Sequence, residues 1–127
     1  MEKKIIYTSK APAPIGPYSQ AVQAGNMLFV SGQIPLNEST GLMEQETIEQ
    51  ETHRVMHNIE AILKEAGCTF ANILKTSIFV TDLANFGKIN EVYATYFTQN
   101  PPARETIEIC ALPKGANVEI SCIAICE

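Results

Sequence analysis

Residues 47–81 read TIEQETHRVMHNIEAILKEAGCTFANILKTSIFVT, and this stretch decides the fold class. Ile48, Val55, Ile59, Ile62 and Ala66 recur at helical spacing, which predicts an amphipathic helix from Ile48 to Ala66. Thr47 with Gln50 three residues later has the form of a capping box, and Gly67 suits the left-handed position after the last turn. Ile73 to Thr81, rich in Ile, Val, Phe and Thr, then reads as a strand. Downstream, Phe86, Ile89, Val92, Tyr93 and Tyr96 mark the inner face of a second helix from Phe86 to Phe97, with Asp82 or Asn85 as its cap. Upstream, strands are expected over Ile5–Ser9, Ser19–Gln23 and Met27–Ile34, the last two joined at Gly25-Asn26. The prolines within Ala11–Pro17 make an extended or turning segment between the first two. Two last strands, Ala103–Ala111 and Val118–Ile125, follow Pro101-Pro102.

The order β-β-β-α-β-α-β-β predicts one α+β unit over residues 1–127, a mixed, mostly antiparallel sheet with two helices on one face. In the last strand, Ile120, Cys122 and Ala124 alternate with Ser121, Ile123 and Ile125, so both faces are largely apolar. Two helices cover one side of such a sheet, and self-association is the economical cover for the other.

Composition narrows the function classes. The 127 residues are 46% apolar and 18% charged, with a formal net charge of −5, which excludes disorder as the main reading. Only two arginines occur, Arg54 and Arg104, so the chain lacks the clustered cations that hold phosphate backbones, and nucleic acid is not expected as a partner. No apolar run approaches the ~20 residues of a membrane span, and Met1–Tyr7 lacks a signal-peptide core, so a cytoplasmic protein without membrane contact is expected. The four cysteines, at 68, 110, 122 and 126, contain no C-x-x-C pair; they read as buried free thiols, and no metal is expected.

Few constellations can carry chemistry. His53 and His57 are four apart but fall opposite the apolar stripe, beside Glu60 and Lys64, on a solvated face. Arg54 reads as a surface or flank residue of the same helix. There is no nucleophile elbow and no phosphate-binding glycine loop. Arg104 opens a strand, where a planar guanidinium suits capture of a small carboxylate; pairing with Glu105 or Glu108 is the bland alternative. Glu119 lies inside the apolar run Val118-Glu119-Ile120, where a carboxylate must be paired, hydrogen-bonded or facing a cleft. Together the two would bind an acid and position a water, or form a structural ion pair.

Several stretches then resemble one family in order along nearly the whole chain. They are Ala13-Pro14-Ile15-Gly16-Pro17-Tyr18-Ser19-Gln20-Ala21, Leu28-Phe29-Val30-Ser31-Gly32-Gln33-Ile34-Pro35 and Asn58-Ile59-Glu60-Ala61-Ile62-Leu63, then Pro102-Ala103-Arg104, Leu112-Pro113-Lys114 and Val118-Glu119-Ile120. This pattern resembles the RidA (YjgF-type) imine/enamine deaminases. The resemblance implies a chorismate-mutase-like subunit and a homotrimer with sites between subunits. It implies hydrolysis of 2-aminoacrylate and 2-aminocrotonate, or their imines, to 2-oxo acids and ammonia, without metal or organic cofactor. By position, Arg104 matches the family's carboxylate clamp. Tyr18, Ser31 and Gly32 match residues lining the cleft, Asn90 a cleft-adjacent asparagine, and Glu119 the carboxylate near the attacking water.

Three departures stand out. Thr106 occupies a position often cysteine in the family, where it would help hold the water; Ser121 replaces a frequent second glutamate; and the loop Thr98-Gln99-Asn100 looks short. The Thr106 exchange keeps open a non-catalytic trimer that senses 2-oxo acids or binds a protein partner. The ribonuclease activity associated with some relatives sits badly with a net charge of −5.

Overall fold

The computed structural model describes residues 2–126. Its elements are β1 (Lys3–Ile6), β2 (Ala21–Ala24), β3 (Met27–Gln33), α1 (Ile48–Glu65), β4 (Ile73–Val80), α2 (Phe86–Ala94), β5 (Ala103–Glu108) and β6 (Val118–Ile125). The fold is α+β, in the expected element order. The sheet runs β1-β2-β3-β6-β4-β5, with β4 and β5 parallel and every other pair antiparallel. The helix α2 supplies the crossover that a parallel pair requires.

Local chemistry explains the boundaries. The Thr47 hydroxyl accepts from the Gln50 amide at 3.0 Å, while the Gln50 side chain reaches one residue further back than a capping box would, to the amide of Glu46. Gly67 takes φ +77° just beyond the helix end, as its position required. The first strand ends at Ile6 rather than Ser9, because the buried Gln20 side chain replaces a strand partner there. Its carbonyl oxygen accepts from Thr8 N, and its amide donates to the carbonyls of Thr8, Ala11 and Pro12. The second helix stops at Ala94, so Tyr96 and Phe97 lie past its end, still packed on the core.

Burial along β6 alternates strictly. Val118, Ile120, Cys122 and Ala124 lie beneath the helices, while Glu119, Ser121, Ile123 and Ile125 are half-buried on the opposite face. Val55, Met56, Ile59, Ile62 and Leu63 of α1 close over Leu28, Ile78 and Ile120. The helix-free face carries Phe29 and Ile5, with 47% and 52% exposure, in the same cross-strand row as Val22 and Ile123. That is the uncovered apolar surface expected from the sequence.

The cysteines depart from expectation. Cys68 and Cys126 are joined in a disulfide, with Cα atoms 5.7 Å apart, linking the turn after α1 to the end of β6. Cys110 is exposed, and Cys122 alone remains a buried free thiol, its pKa pushed up to about 12 by burial. Pairing across 58 residues leaves no sequence signature.

Candidate functional site

Arg104 and Thr106 stand on the helix-covered side of β5, since their parallel partners Thr76 and Ile78 are buried there. Arg104 Nη1 donates to Asn90 Oδ1 at 2.8 Å. The guanidinium also lies over the rings of Phe86 and Tyr93, at 5.2 and 5.1 Å from their centroids. Tyr93 is fixed in turn by a 2.7 Å hydrogen bond between its hydroxyl and that of Thr76. Burial raises the Tyr93 pKa, so the ring is a neutral platform. Among the described residues Arg104 forms no ion pair, because Glu105 is engaged by Lys75 at 3.1 Å and by the Ser77 hydroxyl, whose contacts lower its pKa. The pairing with Glu105 or Glu108 considered from the sequence is therefore not made. Asn90, Tyr93, Phe97, Pro101, Pro102 and Arg104 surround a cleft of about 460 Å³. Thr106, two residues along the same face, has a buried Oγ1 with no hydrogen-bond partner.

Glu119 occupies the other face. Its carboxylate rests on Gly32, so closely that a Cβ there would lie 2.4 Å from Glu119 Oε2. Burial raises its pKa above the ordinary carboxylate value. Gly32 sits in the irregularity of β3 between Val30 and Gln33. A second cleft, of about 420 Å³, is lined by Tyr18, Gly32, Gln33, Ile34, Pro113 and Lys114 among others. Ser31 is committed elsewhere: its hydroxyl donates to the Ser19 carbonyl at 2.6 Å, tying down the segment that carries Tyr18.

The expected residues thus form two groups, Arg104, Asn90 and Thr106 on one side of the sheet and Glu119, Gly32 and Tyr18 on the other. A structural ion pair between Arg104 and Glu119 within one chain is excluded by this placement. His53 and His57 are exposed as expected, although His53 Nδ1 lies 2.6 Å from the Tyr96 hydroxyl. Arg54 flanks α1 and pairs with Glu44 at 3.5 Å. Among the described residues no cluster of three metal-ligating side chains occurs, and no helix is long and apolar enough to cross a membrane.

Sequence reasoning missed the aromatic seat of Arg104, because Phe86 and Tyr93 read simply as core-facing. It gave no role to Lys114, whose φ of +55° holds it at the cleft, or to Glu51 and Asn117. A signal for Glu51 existed: it falls within the buried stripe of α1, where a carboxylate needs a partner.

Comparison with known proteins gives consistent results. A family model described as endoribonuclease L-PSP matches residues 8–126. The chain is 46% identical to a RutC family protein of Pyrococcus abyssi over 100% of both chains. It is 45% identical to the 2-iminobutanoate/2-iminopropanoate deaminase of Mus musculus, covering 97% of this chain and 91% of that protein. Among solved structures, E. coli TdcF with bound serine is similar at TM-score 0.93 and 38% identity, covering 98% and 99% of the two chains.

Proposed function

We propose that this chain, which belongs to the endoribonuclease L-PSP family, the RidA or YjgF family, hydrolyses 2-imino acids to 2-oxo acids and ammonia. The observation that carries this reading is Arg104, a guanidinium held in place by Asn90, Phe86 and Tyr93 yet left without a carboxylate among the described residues. Such a fork is suited to the carboxylate of a small 2-imino acid. Glu119 supports the second half of the chemistry. As carboxylate it accepts a proton from a water attacking the carbon of the protonated imine, returns that proton to the nitrogen of the resulting carbinolamine, and takes the hydroxyl proton as the C–N bond breaks, so that C=O forms and ammonia leaves. The raised pKa suits a group that must both take and give a proton. Thr106 Oγ1, buried without a partner, is an available hydrogen-bonding group for that water.

The two groups lie on opposite faces of one sheet, so a working site needs Arg104 of one copy to meet Glu119, Gly32 and Tyr18 of another. The apolar row of Ile5, Phe29 and Ile123 on the helix-free face is the surface for that assembly, which we take to be a homotrimer. The replacement of the family cysteine by Thr106 favours one alternative, a trimer that binds 2-oxo acids without turnover. A net charge of −5 speaks against RNA as the substrate.

One experiment separates these. Threonine dehydratase generates 2-aminocrotonate in situ, and formation of 2-oxobutanoate is followed with and without the protein. Acceleration is expected, with nearly all of it lost in Arg104→Ala while light scattering still reports a trimer. Binding of 2-oxobutanoate without acceleration would support the sensing alternative, and an active Arg104→Ala or a monomeric wild type would overturn the clamp or the shared site.

A further inference from the structure

Glu51 is a carboxylate with 1% exposure in the first turn of α1, and nothing in the proposed chemistry uses it. Among the described residues no cation meets it; three hydrogen-bond donors do. Its Oε2 accepts from the Asn117 backbone amide at 2.6 Å and from Gln45 Nε2 at 3.2 Å, and its Oε1 accepts from Asn117 Nδ2 at 2.9 Å. Gln45 also donates to the Gly115 carbonyl at 2.9 Å. Asn117 is bound on its other side by Thr81, whose amide donates to the Asn117 carbonyl and whose hydroxyl donates to Asn117 Oδ1. The N-terminus of α1 is thereby locked to the turn that precedes β6.

That turn bears directly on the candidate site. Pro113 and Lys114 line the 420 Å³ cleft with Gly32 and Tyr18, and Lys114 is held in the left-handed region at φ +55°. Two residues past Asn117 comes Glu119, whose carboxylate touches Gly32. A buried carboxylate is costly to retain unless its hydrogen bonds are needed where they are. We propose that Glu51 is a positioning residue for this site. By holding Asn117 through both its backbone and side-chain N–H groups, it sets where β6 begins, and with it the placement of Glu119 against Gly32 and of the Lys114 wall of the cleft.

The inference rests on the deaminase reading, so its test has one arm that needs no reaction. Glu51→Gln keeps size and one acceptor but turns an N–H toward the Asn117 donors, which a carboxylate never does. In 2-aminocrotonate hydrolysis, this variant is expected to lose about tenfold in kcat with KM nearly unchanged, because Arg104 and its seat lie on the opposite face. In NMR, the Gly32 amide of the wild type should follow the titration of Glu119, an assignment made by its disappearance in Glu119→Gln; in Glu51→Gln that response should shrink. A variant that keeps wild-type kcat and an unaltered Gly32 response, with only a lowered melting temperature, would reduce Glu51 to a structural role and overturn the proposal. If the wild type proves inactive, the Gly32 response decides the positioning role alone.

Discussion

Adding one methyl group at position 32 tests the placement of Glu119 more sharply than removing the carboxylate does. Gly32 does not occupy the left-handed region, so alanine there is free of backbone strain and acts through its Cβ alone. That Cβ would lie 2.4 Å from Glu119 Oε2, 2.7 Å from Cδ and 3.0 Å from Cγ. Ordinary contact begins at 3.4 Å, so the carboxylate must withdraw by about 1 Å. Overpacking usually costs ~1–3 kcal/mol, and the low end is expected because the obstructing atoms are the far end of a flexible side chain. Chemistry is more sensitive to position: a ~1 Å misplacement can cost about 10²-fold in rate, or about 2.7 kcal/mol of barrier. Gly32→Ala should therefore fold and assemble while losing about 10²-fold in kcat/KM in the 2-aminocrotonate assay. A double-mutant cycle makes the assignment specific. If Gly32→Ala acts by displacing Glu119, it adds little to the loss already present in Glu119→Gln. Full retention of activity, or losses that simply multiply in the double variant, would refute the reasoning.

Two further outcomes concern stability. The Cys68–Cys126 link closes a loop of 58 residues, and chain-entropy arithmetic for that length gives about 4 kcal/mol; urea titrations with and without reductant should differ by that order, and coincident curves would contradict the link. Glu119 has a raised pKa in the fold, so between its unfolded and folded values the native state binds more protons, and stability falls as pH rises through that window. Glu119→Gln lacks this ionisation, and its stability relative to wild type should improve from pH 4 to pH 7 in denaturant titrations; a difference independent of pH would show that burial does not perturb the group.

The fold was legible because its signals are local. The stripe of α1, the alternation of β6 and the punctuation at Gly25 and Gly67 each depend on a few neighbouring residues, and each survives in the structure. Errors arose where a distant group replaced a local one. Gln20 takes over the hydrogen bonds of Thr8, Ala11 and Pro12 and ends β1 early, and Cys68 finds Cys126 across 58 residues. The same division runs through the candidate site. Arg104 and Glu119 stood out as anomalies of type, a scarce guanidinium and a carboxylate in an apolar run. Their seats did not, because Phe86, Tyr93 and Gly32 gain their meaning only from what they touch.

The opposition of the two groups across the sheet also bears on why such a site should be divided between copies. A fixed guanidinium and a half-buried carboxylate on the same face of one chain would pair with each other, and the energy of that pair would have to be overcome by every incoming acid. The β-sheet prevents this. It keeps Arg104 in an aromatic and amide seat on the helix side and Glu119 against Gly32 on the other, so that each retains unused capacity. In the proposed assembly, Arg104 of one copy and Glu119 of another would face a substrate-sized gap instead of each other. On that proposal the carboxylate of a 2-imino acid would occupy the fork, and Glu119 would be left to handle the proton of water. The proposal couples assembly to activity, so a charge placed in the apolar row at Phe29 should remove both together.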